Sequence, residues 1–310
     1  MSPATESGGH VHATPKVAVV GAGAIGLAIG SAFARAGSTI LLCGGRTPVE
    51  SITIVEDGVP HTWEATHLDT PGELGDVDVL VLAVKAYATD AMAGWLRAGA
   101  DAGATILVAQ NGVEQVQRVA PHIGQADAIP AIVYLNVERT APGVATMRRV
   151  GDHDIALPSA GAGAALAATL AVGGMRMNAA ADFPEVLWTK MMINCAGNSL
   201  TSLTRRRSEV LLDPAIAALA RSITREVAAV ARAEGAAVTE ADADAVVAWL
   251  QAAAPANNTS SMREDVMAGR PIEHDALTGA VVRIAASHGV DVPVNTMILA
   301  LLGALRPEEG

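Results

Sequence analysis

The chain has 310 residues, 51% of them apolar, 17% charged and only 3% aromatic, with a formal net charge of −11. This apolar share excludes a disordered chain, and the length exceeds what a single hydrophobic core usually serves, so two domains are expected. The acidic balance argues against a duplex nucleic acid or an anionic membrane as partner, and an acidic ligand must meet a few placed cations.

Residues 1–14 read as a flexible polar tail without a secretory pattern. Residues 16–20 (KVAVV) form a buried strand by their β-branched content. A helix is expected over 24–36, and further strands over 39–43, 78–84 (DVLVLAV) and 105–109. Uninterrupted apolar strands separated by helices predict a parallel sheet covered on both faces. Residues 127–157 hold apolar runs broken at Pro142-Gly143 and Gly151-Asp152, which predicts extra strands joined by turns. The stretch 155–175 carries no charge and is long enough to span a bilayer. Pro158, Ser159 and its Ala/Gly content make it instead a strand end, a loop and an ordinary helix.

From about residue 183 the pattern changes to long helices. One covers 184–203, with Pro184 in its first turn. Another opens at Asp213-Pro214 and runs to about Glu234, where Gly235 stops it. Thr239-x-x-Asp242 resembles a capping box, and two further helices are expected over 272–288 and 293–305. An α/β domain over 15–181 therefore precedes an all-helical domain over 182–310, whose Ala-rich surface leaves room for a homodimer interface.

Residues 21–26 read G-A-G-A-I-G, directly after the first strand and opening the first helix. Gly21 suits the tight turn, Gly23 lets the backbone approach a pyrophosphate, and Gly26 lets the helix pack close; Ala24 and Ile25 are in the first helical turn, whose free N–H groups attract phosphate. The second strand ends Leu41-Leu42-Cys43-Gly44-Gly45-Arg46, with no carboxylate before Glu50. An acidic residue there would bind a ribose 2′-hydroxyl, whereas Arg46 is placed to pair a 2′-phosphate, so NADP(H) is the expected cofactor.

Three segments put polar residues in apolar surroundings. Lys190, Asn194 and Asn198, at i, i+4 and i+8, share one helix face. Lys85, and Gln110-Asn111-Gly112, lie at the C-terminal ends of strands, where open α/β sheets bind ligands. The charges of 260–275 read by default as a solvated surface. Cys43 and Cys195 form no C-x-x-C pair, so a disulfide framework or zinc site is not expected, the cytoplasm is the natural compartment, and Cys195 reads as a packing residue. No metal site is expected.

G-A-G-A-I-G, Lys85, Q-N-G at 110–112, W-T-K-M-M-I-N at 188–194 with Asn198, and S-S-M-R-E-D…G-R-P-I-E-H-D at 260–275 together resemble the ketopantoate reductase (2-dehydropantoate 2-reductase) family, in its order and over nearly the whole chain. The resemblance implies an N-terminal Rossmann-type domain and an all-α C-terminal domain like that of 6-phosphogluconate dehydrogenase. Between them it implies a cleft for NADP(H) and a small 2-oxo acid. It implies that Lys190 and Glu273 are catalytic and that Asn111, Asn194, Asn198 and Ser261 bind substrate. To the cofactor-binding residues read above, Gly21, Gly23, Ala24, Ile25, Gly26 and Arg46, it adds Lys85, Asn111 and Glu273. His274 departs from the family, whose members often carry an aliphatic residue there; it alters the pocket or faces a neighbouring helix. The chemistry agrees: a lysine in an apolar cleft has a lowered pKa and readily protonates a developing oxyanion. Glu273 is expected to accept a bond from a substrate hydroxyl and to orient Lys190. A paralogous 2-oxo acid reductase and a non-catalytic NADP(H)-binding regulator are the alternatives.

Overall fold

The computed structural model describes residues 14–45, 47–149, 151–254 and 259–305. The chain begins with β1 (Lys16–Val20), α1 (Ala24–Arg35) and β2 (Thr39–Cys43), as read from the sequence. An antiparallel hairpin not anticipated there follows, β3 (Ser51–Glu56) with β4 (Val59–Glu64), and then a short β5 (Thr66–Leu68). The alternation continues through β6 (Val79–Leu82), α2 (Ala93–Asp101), β7 (Thr105–Val108), α3 (Gln115–Ile123) and β8 (Ala128–Pro130).

Six of these strands form one sheet in the order β5-β2-β1-β6-β7-β8, with every pairing parallel. Parallel neighbours need crossover connections, so the sheet is covered on both sides. Side chains alternate accordingly. Val17 and Val19 of β1 pack with Leu27, Ile29 and Phe33 of α1, whereas Ala18 and Val20 pack with Trp95 and Leu96 of α2 and Val119 of α3.

β9 (Ile132–Val133), β10 (Asn136–Ala141), β11 (Val144–Arg148), β12 (Ile155–Pro158), α4 (Gly161–Val172) and β13 (Met177–Ala180) complete this half. They build two smaller sheets, β10-β11-β3-β4 and β13-β12-β9. Stretch 155–175 is thus a strand, a turn and α4, and no helix among the described residues is long and apolar enough to cross a membrane.

The second half is helical: α5 (Phe183–Thr204), α6 (Pro214–Ala233), α7 (Glu240–Ala252), α8 (Ser261–Met267), α9 (Ala280–His288) and α10 (Pro293–Gly303). Its caps follow the sequence signals. The Asp213 carboxylate accepts from Ala215 N at 2.8 Å, and Thr239 and Asp242 form a reciprocal capping box. Residues 272–288 are not one helix. A π turn spans Asp275–Gly279 and leads into α9, with Gly279 N donating to His274 O at 2.9 Å. Ile272 and Glu273 stay outside the helix, which frees Glu273 to reach the other half of the chain.

The two halves meet at the start of α5. Phe183 packs with Ile132, Ala156 and Ala180, and Tyr134, Val186 and Leu187 close around it. This apolar contact seats the first two turns of α5 on the third sheet and so fixes where Lys190 stands.

Candidate active site at the junction of the two halves

The turn after β1 is held tight by its glycines and leaves open space in front of α1. Gly21 has φ +103°, a conformation that side chains resist, and a Cβ there would stand 2.8 Å from Val84 N. A Cβ on Gly26 would overlap the Gly21 carbonyl oxygen and approach Val19 to 3.1 Å. At Gly23 an added Cβ meets nothing within 4 Å, so the space before Ala24 and Ile25 is open. Gly23 is also the N-cap of α1, with no side chain bonded across the helix start, and the first N–H groups are left for an anion. Gly26→Ala is expected to push α1 off its turn, weakening dinucleotide binding at least about tenfold and lowering stability by about 1–3 kcal/mol. Fluorescence titration with a reduced nicotinamide dinucleotide and thermal melts check this; wild-type values in both would contradict it. Arg46 lies outside the described residues.

Beside this turn, β6 delivers Lys85. Its Nζ donates to Asp265 Oδ2 at 2.8 Å and to Glu273 Oε2 at 3.3 Å. Glu273 is only 6% exposed, yet its carboxylate is well satisfied. Ala86 N donates to Oε1 at 2.9 Å and Asn111 Nδ2 to Oε2 at 3.0 Å, so Lys85, Ala86 and Asn111 offset the burial together. Burial pulls the Lys85 pKa down, but Glu273 and Asp265 outweigh it and hold it above the usual lysine value. The partners of Glu273 differ from expectation: its carboxylate engages Lys85 rather than Lys190.

Asn111 is itself held from behind. Gln110 donates through Nε2 to Val84 O at 3.0 Å and Thr89 Oγ1 at 2.9 Å, and its Oε1 accepts from Arg118 Nη1 at 3.1 Å. A second link between the halves lies nearby, where Arg283 Nη2 donates to Glu114 Oε2 at 2.7 Å.

A narrow cleft opens beside this network, lined by Gln110, Asn111, Ile132, Val133, Lys190 and Asn194 among others. Burial lowers the Lys190 pKa from 10.5 to about 8. Its Nζ stands 4.8 Å from the centroid of the Tyr134 ring. Asn194, buried one turn further along α5, lines the same cleft. The structure thus gathers Lys190, Asn194 and Asn111 around one space and ties Glu273 and Lys85 to it through Asn111. Asn198 is buried a further turn along, beyond the cleft lining, and Ser261 is exposed at the start of α8. Its neighbour Ser260 caps α8 and bonds Thr201 Oγ1 at 2.7 Å.

His274 faces a neighbouring helix: its Nε2 lies 3.7 Å from where a Cβ on Gly303, at the end of α10, would stand. Cys195 is fully buried in the helical core, and burial pushes its thiol up to about 12, which disfavours the thiolate and suits a packing role. Sequence reasoning missed Asp265, Gln110 as a support, Arg118 and Tyr134. Asp265 ends the S-S-M-R-E-D run, and its place in that motif was the available signal.

A family model described as ketopantoate reductase PanE/ApbA matches residues 17–160, and one described as ketopantoate reductase PanE/ApbA C terminal matches residues 182–306. The 2-dehydropantoate 2-reductase of Mycobacterium tuberculosis (strain CDC 1551 / Oshkosh) is 36% identical over 296 residues, covering 95% of this chain and 99% of that protein. The protein of the same name from Caulobacter vibrioides is 34% identical over 291 residues, covering 93% of this chain and 98% of that one. A crystal structure of a PanE/ApbA family ketopantoate reductase from Ralstonia eutropha JMP134 aligns with a TM-score of 0.84 at 28% identity, covering 94% of this chain and 98% of that one.

Proposed function

The chain belongs to the ketopantoate reductase family, oxidoreductases acting on a CH–OH/C=O pair, and on that premise we propose that it reduces ketopantoate to pantoate with NADPH. The observation that carries the reading is Lys190. It is a partly buried ammonium with a pKa lowered to about 8, in a cleft it shares with Asn111 and Asn194 from the two halves of the chain.

Residues Gly21, Gly23 and Gly26, with Ala24 and Ile25, would hold the pyrophosphate at the start of α1, and Arg46 the 2′-phosphate. Lys85, Asn111 and Glu273 would hold the reactive end. NADPH, when bound, supplies the hydride. Lys190 stabilises the negative charge that grows on the keto oxygen and delivers the proton to it. Its lowered pKa brings donor and acceptor closer in proton affinity and eases the transfer. Asn111 and Asn194 orient the substrate by hydrogen bonds, with Asn198 and Ser261 completing its site. Glu273 accepts from Asn111 and a substrate hydroxyl and so fixes the pose.

Ketopantoate and a panel of other 2-oxo acids, followed at the NADPH absorbance, test the reading. Ketopantoate is expected to give the highest kcat/KM. Preference for another 2-oxo acid would make the chain a paralogous reductase, and binding without turnover on any would make it a regulator. Arg46→Ala is expected to raise the KM for NADPH about tenfold to a hundredfold while leaving that for NADH within about twofold. Equal losses with both cofactors would overturn the NADP(H) assignment.

A further inference from the structure

Tyr134 has no part in the reading above, yet its ring is the group against which the Lys190 ammonium rests, 4.8 Å from the centroid. That separation is within the range in which the negative face of an aromatic ring attracts a cation. The ring is also anchored. Tyr134 N donates to Asp154 O at 2.9 Å beside β12, and the side chain packs on the cluster of Ile132, Ala156, Ala180 and Phe183 that seats the start of α5. The first half of the chain therefore presents a fixed aromatic face to the lysine of the second.

The surroundings leave the ring as the main electrostatic partner. The polar side chains that line the cleft beside Lys190 are amides, those of Gln110, Asn111, Gln115 and Asn194. The charged groups beyond act through these amides: Glu273 bonds Asn111 and is shared with Lys85, and Arg118 bonds Gln110. The Tyr134 phenol is itself shifted upward by burial and so stays neutral over the working pH range. Burial is what lowers the Lys190 pKa, and among the described residues no carboxylate pairs with its ammonium.

We propose that Tyr134 is a positioning residue for the proton donor: its π face fixes the Lys190 ammonium at the cleft and favours its charged form. The proposal rests on Lys190 being the proton donor.

The test is the pH dependence of single-turnover ketopantoate reduction, with enzyme in excess so that product release is not measured. Tyr134→Leu keeps an apolar wall and removes the π face. Its alkaline limb is expected to move down by about half a unit to one unit, which lowers the rate about three- to tenfold above that limb. Tyr134→Phe keeps the face and is expected to keep the wild-type limb. A Leu limb at or above the wild-type pH would overturn the proposal, and so would a Phe variant that behaves like Leu, because the hydroxyl would then be the acting group. Tyr134→Met serves as the second apolar variant if melting shows that Leu disturbs packing. Lys190→Met separates this result from its premise. Its loss of turnover beside an unmoved Leu limb sinks the Tyr134 role alone, whereas near-normal turnover removes Lys190 as the donor and the proposal with it.

Discussion

Replacing Lys190 with Met is expected to remove most turnover while making the fold more stable. Turnover should fall by about 10²–10⁴-fold, the range that a positioned general acid contributes, with NADPH binding retained. The stability gain follows from the pKa. In the folded chain burial holds Lys190 at about 8, against 10.5 when solvated. Below pH 8 both states carry the proton, and the folded state bears the full cost of a poorly solvated ammonium. Between pH 8 and 10.5 the folded chain releases the proton while the unfolded chain keeps it, so wild-type stability rises with pH across that window. Met, of similar volume and without charge, should gain about 1–3 kcal/mol at pH 7 and lose the rise. Urea melts at pH 7 and pH 10 check the second effect. A variant that turns over normally, or is less stable than wild type at pH 7, would contradict the assignment.

Glu273→Gln is the second large effect, because the surroundings of Glu273 consist of donors. Oε1 accepts from Ala86 N, and Oε2 accepts from both Lys85 and Asn111. Whichever way a glutamine amide is turned, its NH₂ group meets an N–H donor, and the charge opposing Lys85 is halved to that of Asp265 alone. Breaking a buried, hydrogen-bonded charge contact in this way costs about 2–4 kcal/mol, so kcat/KM should fall by about 30- to 10³-fold if that cost is borne in the transition state. The junction should also loosen, since these bonds join the two halves of the chain. Steady-state kinetics together with a melting curve measure both. Near-wild-type kcat/KM for the Gln variant would show that the carboxylate is not needed.

Much of this was legible in local pattern. The β-branched run 16–20, the glycines at 21–26, the Thr239–Asp242 capping box and the polar face of Lys190 and Asn194 are all read within a turn or two of chain, and the structure contains each. What was not legible lies in long-range pairing or in weak periodicity. β4 is almost wholly exposed and carries no alternation to reveal it, so its hairpin with β3 went unread. Lys85 meets Asp265 across 180 positions, and nothing near either residue specifies the other. Helical spacing around 272–288 was real, but tertiary contacts of Glu273 prevail over it and the helix begins late, through a π turn. Tyr134 follows a two-residue strand and looks like any core aromatic until the fold brings α5 against it.

Reduction turns on a partly buried ammonium that acts as proton donor, and the pH dependence of kcat/KM for ketopantoate at saturating NADPH tests this most directly, since it reports the donor before the keto acid binds. The expected profile falls with a limb near pH 8, the value at which burial sets Lys190. A rate that holds level through pH 10 would contradict it, because the essential proton would then belong to a solvated lysine or to another group.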